Sequence, residues 1–126
     1  MPTLNAHDNF TAIELLPAVR RTASANGGGV DMRDYVGKVK VILASSAGGG
    51  VDHTLDVKLQ DSPDNSTFTD ITGAVFTQIT NAADLTEDLG INIDGAARYI
   101  RAVVTIAGTS PVFDCVVLGV GRKQTV

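Results

Sequence analysis

Two short segments set the fold class: Val39, Val41 and Leu43 alternate with Lys38, Lys40 and Ile42, and Leu55, Val57 and Leu59 alternate with Asp56, Lys58 and Gln60. An apolar period of two places one set of side chains on one face of an extended strand, whereas a surface helix needs a period near 3.6. Further strand candidates are Ile13–Thr22, Gly29–Met32, Phe68–Ile71, Val75–Thr80, Leu89–Asp94, Arg98–Ile106 and Val112–Gly121. They are punctuated by turn-forming stretches, among them 61–66 (Asp-Ser-Pro-Asp-Asn-Ser), 92–95 (Asn-Ile-Asp-Gly) and 108–111 (Gly-Thr-Ser-Pro). A helical turn over 81–88, capped by Asn81, is weighed and set below a loop. The two clearest segments read as neighbouring strands joined by a flexible loop at 45–50.

One stacked pair of sheets lets every such strand bury its apolar side, so the expected class is all-β: a two-sheet sandwich or jelly roll of about eight strands. The 126 residues suffice for one core. Residues 1–12 show no strand period and read as a mobile N-terminal arm that becomes ordered against a partner, with the sandwich domain at 13–126. The expected core is Val39, Val41, Leu43, Leu55, Val57, Leu59, Ile91, Ile100, Val104 and Leu118, chosen by shared parity within each strand.

Charge and chemistry exclude several functions. The formal net charge is −4, which argues against a broad phosphate-binding surface and so against nucleic acid. The charge is uneven: residues 38–97 carry three basic against nine acidic side chains, and residues 98–126 carry four against one. Opposite regions of this kind favour self-association only weakly, because exposed pairs contribute about 0–1 kcal/mol each. Apolar runs such as 115–120 fall far short of the roughly 20 residues that span a bilayer, and Met1–Asn5 lacks the basic and apolar stretches of a signal peptide, so neither membrane insertion nor secretion is expected.

No enzyme, cofactor or metal site is expected. Cys115 lies in an apolar strand, where an inert buried thiol is the ordinary outcome, and His53 follows a glycine loop, where an exposed imidazole is ordinary. Asp61, Asp64 and Asp70 match no calcium-loop spacing. The glycine triplets 27–29 and 48–50 lead into no Gly-Lys-Ser/Thr sequence and read as flexible loops rather than phosphate cradles. Asn9-Phe10-Thr11 and Asn65-Ser66-Thr67 fit the glycosylation pattern by chance alone in a chain without a secretion signal. Arg98 and Arg101 flank Tyr99, but strand alternation sets Tyr99 and Arg101 on one face and Arg98 on the other, so no continuous basic and aromatic platform forms. Tyr99 is expected to close the core edge and Arg101 to pair with an acid of the middle segment.

The order of segments carries a resemblance. The stretch Gly29–Tyr35, the strand Val39–Leu43, the run Leu55–Ile71 and the run Ala97–Gly108 with its Ser110-Pro111 exit together resemble small tailed-bacteriophage and prophage head accessory proteins, the capsid decoration or cement proteins. The resemblance covers roughly residues 12–122, and Lys58–Asp70 and Arg98–Gly108 are its most specific parts. Phe68 stands where such proteins usually carry tryptophan and is expected to bury a ring in the core.

The resemblance implies a non-enzymatic virion structural protein on the capsid exterior, made in the host cytoplasm, that decorates and stabilises an icosahedral shell. The implied partners are the major capsid protein and copies of itself, with a homotrimer favoured. The candidate partner contacts are Arg98, Arg101, Arg122 and Lys123. The alternative is a carbohydrate- or receptor-binding β-sandwich module of a tail or baseplate.

Overall fold

The computed structural model describes residues 10–123 and shows the expected all-β sandwich. Nine strands run in chain order: β1 (Phe10–Arg21), β2 (Ala25–Asn26), β3 (Val30–Asp31), β4 (Tyr35–Ser45), β5 (Thr54–Ser62), β6 (Thr69–Val75), β7 (Leu85–Asn92), β8 (Tyr99–Ala107) and β9 (Phe113–Lys123). One sheet has the order β1-β9-β4-β7 and the other β2-β8-β5-β6, with β3 also paired to β8. All these pairings are antiparallel.

Phe10, Thr11 and Ala12 are already strand, paired with Arg122, Gly121 and Val120. They belong to the sandwich and not to the expected arm; the other nine arm residues, 1–9, lie outside the described residues. β4 and β5 are not neighbours as expected. They belong to opposite sheets and face each other across the core, because the 46–53 loop carries the chain from one layer to the other. Residues 81–84 form a loop rather than a helical turn, and the only helix among the described residues is a 3₁₀ turn at Ile93–Gly95, where the Asn92 side chain accepts from the Asp94 N–H.

The core is formed where the inward parities meet: Val39, Val41 and Leu43 from β4 against Leu55, Val57 and Leu59 from β5, with Ile91, Ile100 and Val104. Leu118 corrects the expected list. It is 38% exposed, while Phe113, Cys115 and Val117 point inward. The run 115–120 is apolar throughout, so alternation alone does not say which parity is inside. β1 departs from strict alternation: Leu15 and Leu16 are both buried, and the register shifts on either side of Leu16, as a bulge requires. Pro17 follows, and lacking an N–H it is tolerated because β1 is an edge strand.

Each glycine triplet contains positions where close packing leaves no room for a Cβ. Gly27 is buried, its N–H donates to the Ala102 carbonyl at 2.8 Å, and a Cβ there would stand 2.1 Å from the Leu15 carbonyl oxygen. A Cβ on Gly48 would meet the His53 side chain at 2.6 Å and the Phe113 ring at 2.9 Å.

Candidate functional site

His53 is 6% exposed, contrary to the sequence expectation, and organises one end of the sandwich. Its Nδ1 accepts from the backbone N–H groups of Gly50 at 3.0 Å and Val112 at 3.3 Å, so the ring proton sits on Nε2 and is donated to the Thr109 carbonyl at 2.9 Å. Asp52 holds the same turn: its Oδ2 accepts from the Thr109 N–H at 2.8 Å and hydroxyl at 2.7 Å, and these bonds lower its pKa. The two side chains brace a turn in which Ser110 adopts a φ of 48°. Each polar atom of the imidazole is therefore used in holding loops together, which is a structural arrangement. Cys115 is buried, and burial pushes its thiol pKa up, away from the reactive thiolate.

The outward side of the β2-β8-β5-β6 sheet carries an internally bonded polar network, with Val75, 61% exposed, beside Lys58. Arg101 does not pair with an acid. Its Nε and one terminal nitrogen both donate to Gln60 Oε1, at 2.9 and 2.8 Å, and its guanidinium lies 4.0 Å from the Phe68 ring centroid. Gln60 in turn donates to Asp70, which pairs with Lys58 at 3.0 Å. Phe68 is thus a half-buried surface ring under an arginine and not a core plug. Arg98 bonds Asp31 through two nitrogens, at 3.0 and 2.7 Å, and lies 5.2 Å from the Tyr99 ring centroid, fastening β3 to the start of β8. Tyr99 is half-buried but lies on the outward parity with Arg101, opposite core-facing Ile100, so it does not close the core edge as expected.

The three acids weighed for calcium are also engaged internally. Asp64 accepts from the Thr67 and Ser66 N–H groups and the Ser62 hydroxyl, Asp61 accepts from the Ala97 N–H and the Thr69 hydroxyl, and Asp70 bonds as above. Among the described residues no group of three or more His, Cys, Asp or Glu side chains gathers in a metal-ligating cluster.

These bonded carboxylates make stability acid-sensitive. The Arg98 hydrogen bond, with the Arg33 N–H, holds Asp31 down to about 2, and Asp52, Asp64, Asp70 and Asp88 are lowered by their own partners. Unfolded aspartates titrate near about 4. Each group therefore stabilises the fold fully above that value, and the contribution disappears as pH falls through the lowered folded-state value. The expected melting temperature is insensitive to these groups from pH 7 to about 5 and drops between about pH 4 and 2. Asp31→Asn should shrink that drop; a melting temperature that stays level down to pH 2 would contradict the reading.

The outward side of the β1-β9-β4-β7 sheet has the opposite character. Ala12, Val120 and Lys40 lie in one cross-strand row, Glu14, Leu118, Ile42 and Asp88 in the next, and Val116 and Ala44 in a third. Phe10, 49% exposed, stands at one end; Val19, 48% exposed, pairs with Cys115 and so lies on the inward parity at the open β1 edge. Charged groups border and interrupt the apolar strip: Lys40, on the inner strand β4, pairs with Asp88 at 2.9 Å, Arg20 pairs with Asp114 at 3.1 Å, and Glu14 stands opposite Leu118. Phe10, Lys38, Lys40, Gly90 and Val120 border a groove of about 460 Å³ near one end, and Ala18, Val19, Ala44 and Val116 help line a depression of about 330 Å³ at the other. No other part of the described chain covers this face.

The four arginine and lysine candidates are not brought together. Arg98 and Arg101 belong to the polar sheet and are spent on internal partners, while Arg122 and Lys123 are exposed at the end of β9 in the apolar sheet. The apolar face itself escaped sequence reasoning, although its signal was present: 115–120 and 41–44 are apolar on both parities, so one side of each has no core to enter.

Comparison with known proteins supports the fold. The chain matches no protein-family model and no curated protein sequence. Among solved structures it is similar to the SPBc2 prophage-derived protein YomS, with a TM-score of 0.56 at 14% identity, over 90% of this chain and 92% of that one. It also aligns with a xylan-binding module, CBM15, with a TM-score of 0.48 at 10% identity, over 98% and 96% of the two chains. The β-sandwich is shared with YomS. At that identity the likeness extends to architecture alone.

Proposed function

We propose that this chain is a non-enzymatic structural protein of a phage virion that decorates the exterior of an icosahedral capsid and stabilises it. The observation that carries the reading is the uncovered apolar face of the β1-β9-β4-β7 sheet, with Phe10 and Leu118 exposed along it. An exposed apolar strip bordered by charged groups is the mark of a surface that is buried on assembly. The resemblance of segments 29–35, 39–43, 55–71 and 97–108 to head accessory proteins supplies the assembly. In this role the chain works by covering surface on the major capsid protein and on its own copies. Many individually modest contacts then act together, and preferential binding to the assembled shell stabilises it by mass action.

The carbohydrate-binding alternative gains no support from the aromatic residues of the polar sheet. A sugar needs an open ring face, and the Phe68 ring is covered by the Arg101 guanidinium. Mixing the purified chain with bare mature capsids tests the proposal. Binding, together with a higher temperature of shell disruption, is the expected result. Absence of binding, accompanied by specific capture of a cell-surface glycan, would overturn it in favour of the receptor-binding module.

A further inference from the structure

We infer that the cleft between β6 and β7, where the sandwich lies open, takes up an extended segment of a basic partner chain, which adds as a strand to the free edge of β7. β6 and β7 each end their own sheet, and the gap between them forms a cleft of about 420 Å³. Neither the cleft nor its occupant depends on the virion role proposed above.

A strand edge is recognised through its backbone, and the two edges differ. In β6 the four residues Ile71–Ala74 stand opposite Leu59 alone, a bulge that makes this strand a poor template. β7 has no bulge and no proline. It pairs with β4 residue for residue from Lys38↔Asn92 to Ser45↔Leu85, and its other side has no strand. The Thr77 N–H and hydroxyl close one end of that side by donating to Glu87, so Leu89–Asn92 is the stretch open to the cleft. At about 3.3 Å per residue it accepts a strand of about four residues.

The walls suit a second backbone. Gly73, Gly90 and Gly95 line the cleft, and a Cβ on any of them would meet nothing within 4 Å, so another chain can approach bare backbone there. The floor is apolar: Leu89 and Ile91 share the inward parity of Val41 and Val39, and Ile71 and Ala74 face them from the other layer. Alternate side chains of the added strand would lie on that floor.

Charge names the occupant. Asp61 and Asp70 line the cleft, and no lysine, arginine or histidine does. Asp70 pairs with Lys58, but Asp61 accepts only from the Thr69 hydroxyl and the Ala97 N–H, so its charge has no cation among the described residues. β7 itself carries Glu87 and Asp88 and no basic residue, so the β7 of a second copy would bring acid to acid. A strand bearing lysine or arginine has the matching sign.

An NMR titration of the full chain with a capped six-residue peptide alternating valine and lysine tests the inference. Amide shifts should move at Ile71–Ala74 and Leu89–Asn92. A twin with every backbone nitrogen methylated keeps the charge but loses the donors, and should bind at least about tenfold more weakly. A twin alternating valine and glutamate should not bind. Asp61→Asn should weaken the lysine peptide about threefold. Gly95→Trp should abolish binding by filling the cleft, with circular dichroism confirming the β fold; Gly90→Phe serves if the tryptophan variant fails to fold. No binding at millimolar peptide, equal binding of the methylated or the glutamate twin, or binding indifferent to the filled cleft would overturn the inference. A dimer in sedimentation equilibrium that Gly95→Trp dissolves would give the cleft to a second copy and overturn it as well. All of these measurements are made without shells, so the strand site and the virion role fail separately.

Discussion

Val57→Asp is expected to leave the chain unfolded at room temperature, whereas Lys58→Asp is expected to fold. Val57 is 1% exposed at the centre of β5, facing the β4 layer, and a carboxylate there has no partner and no water. Such a substitution costs about 4 kcal/mol or more, against a total of about 5–15 kcal/mol for an ordinary domain and the low end of that range for a small one. Lys58 points the other way and pairs with the exposed Asp70. Reversing its charge removes a surface ion pair and costs about 1 kcal/mol or less. Urea denaturation of the two variants measures both effects, and similar losses would contradict the assigned parity of β5.

His53→Ala should destabilise the fold by about 3 kcal/mol, far more than the loss of a surface imidazole. The substitution strands the Gly50 and Val112 N–H groups and the Thr109 carbonyl, and it opens a cavity beside Phe113, whose ring centroid lies 6.2 Å from that of His53. Faster amide exchange should be confined to residues 48–53 and 108–112, where the backbone partners lie. A loss below about 1 kcal/mol would mean that these bonds do not hold the loops.

The central strands were legible because their two faces differ. Lys38 and Lys40 opposite Val39 and Val41, and Asp56 and Lys58 opposite Leu55 and Val57, mark outside and inside without any tertiary information. β9 lacks that contrast. Val116, Leu118 and Val120 are as apolar as Cys115 and Val117, so alternation alone points Leu118 to the core when its parity faces outward. The same ambiguity hid the candidate site, since an apolar residue awaiting a partner chain has the chemistry of one already buried.

Other misses have long-range causes. The pairing of β4 with β7 and β9 rather than β5 depends on which way the 46–53 loop turns, which its glycine and serine composition leaves open. The burial of His53 depends on Gly48, Thr109 and Val112 closing around it. Arg101 found Gln60 and Phe68 instead of an acid because β8 pairs with β5 in a register that places Arg101 opposite Gln60.

A density map of the native virion tests the central claim most directly. The account predicts copies of this sandwich on the capsid exterior, with Phe10 and Leu118 buried at a contact and the side bearing Phe68 and Arg101 facing elsewhere. Particles that lack the chain, or that carry it with the apolar β1-β9-β4-β7 face turned to solvent, would contradict the account.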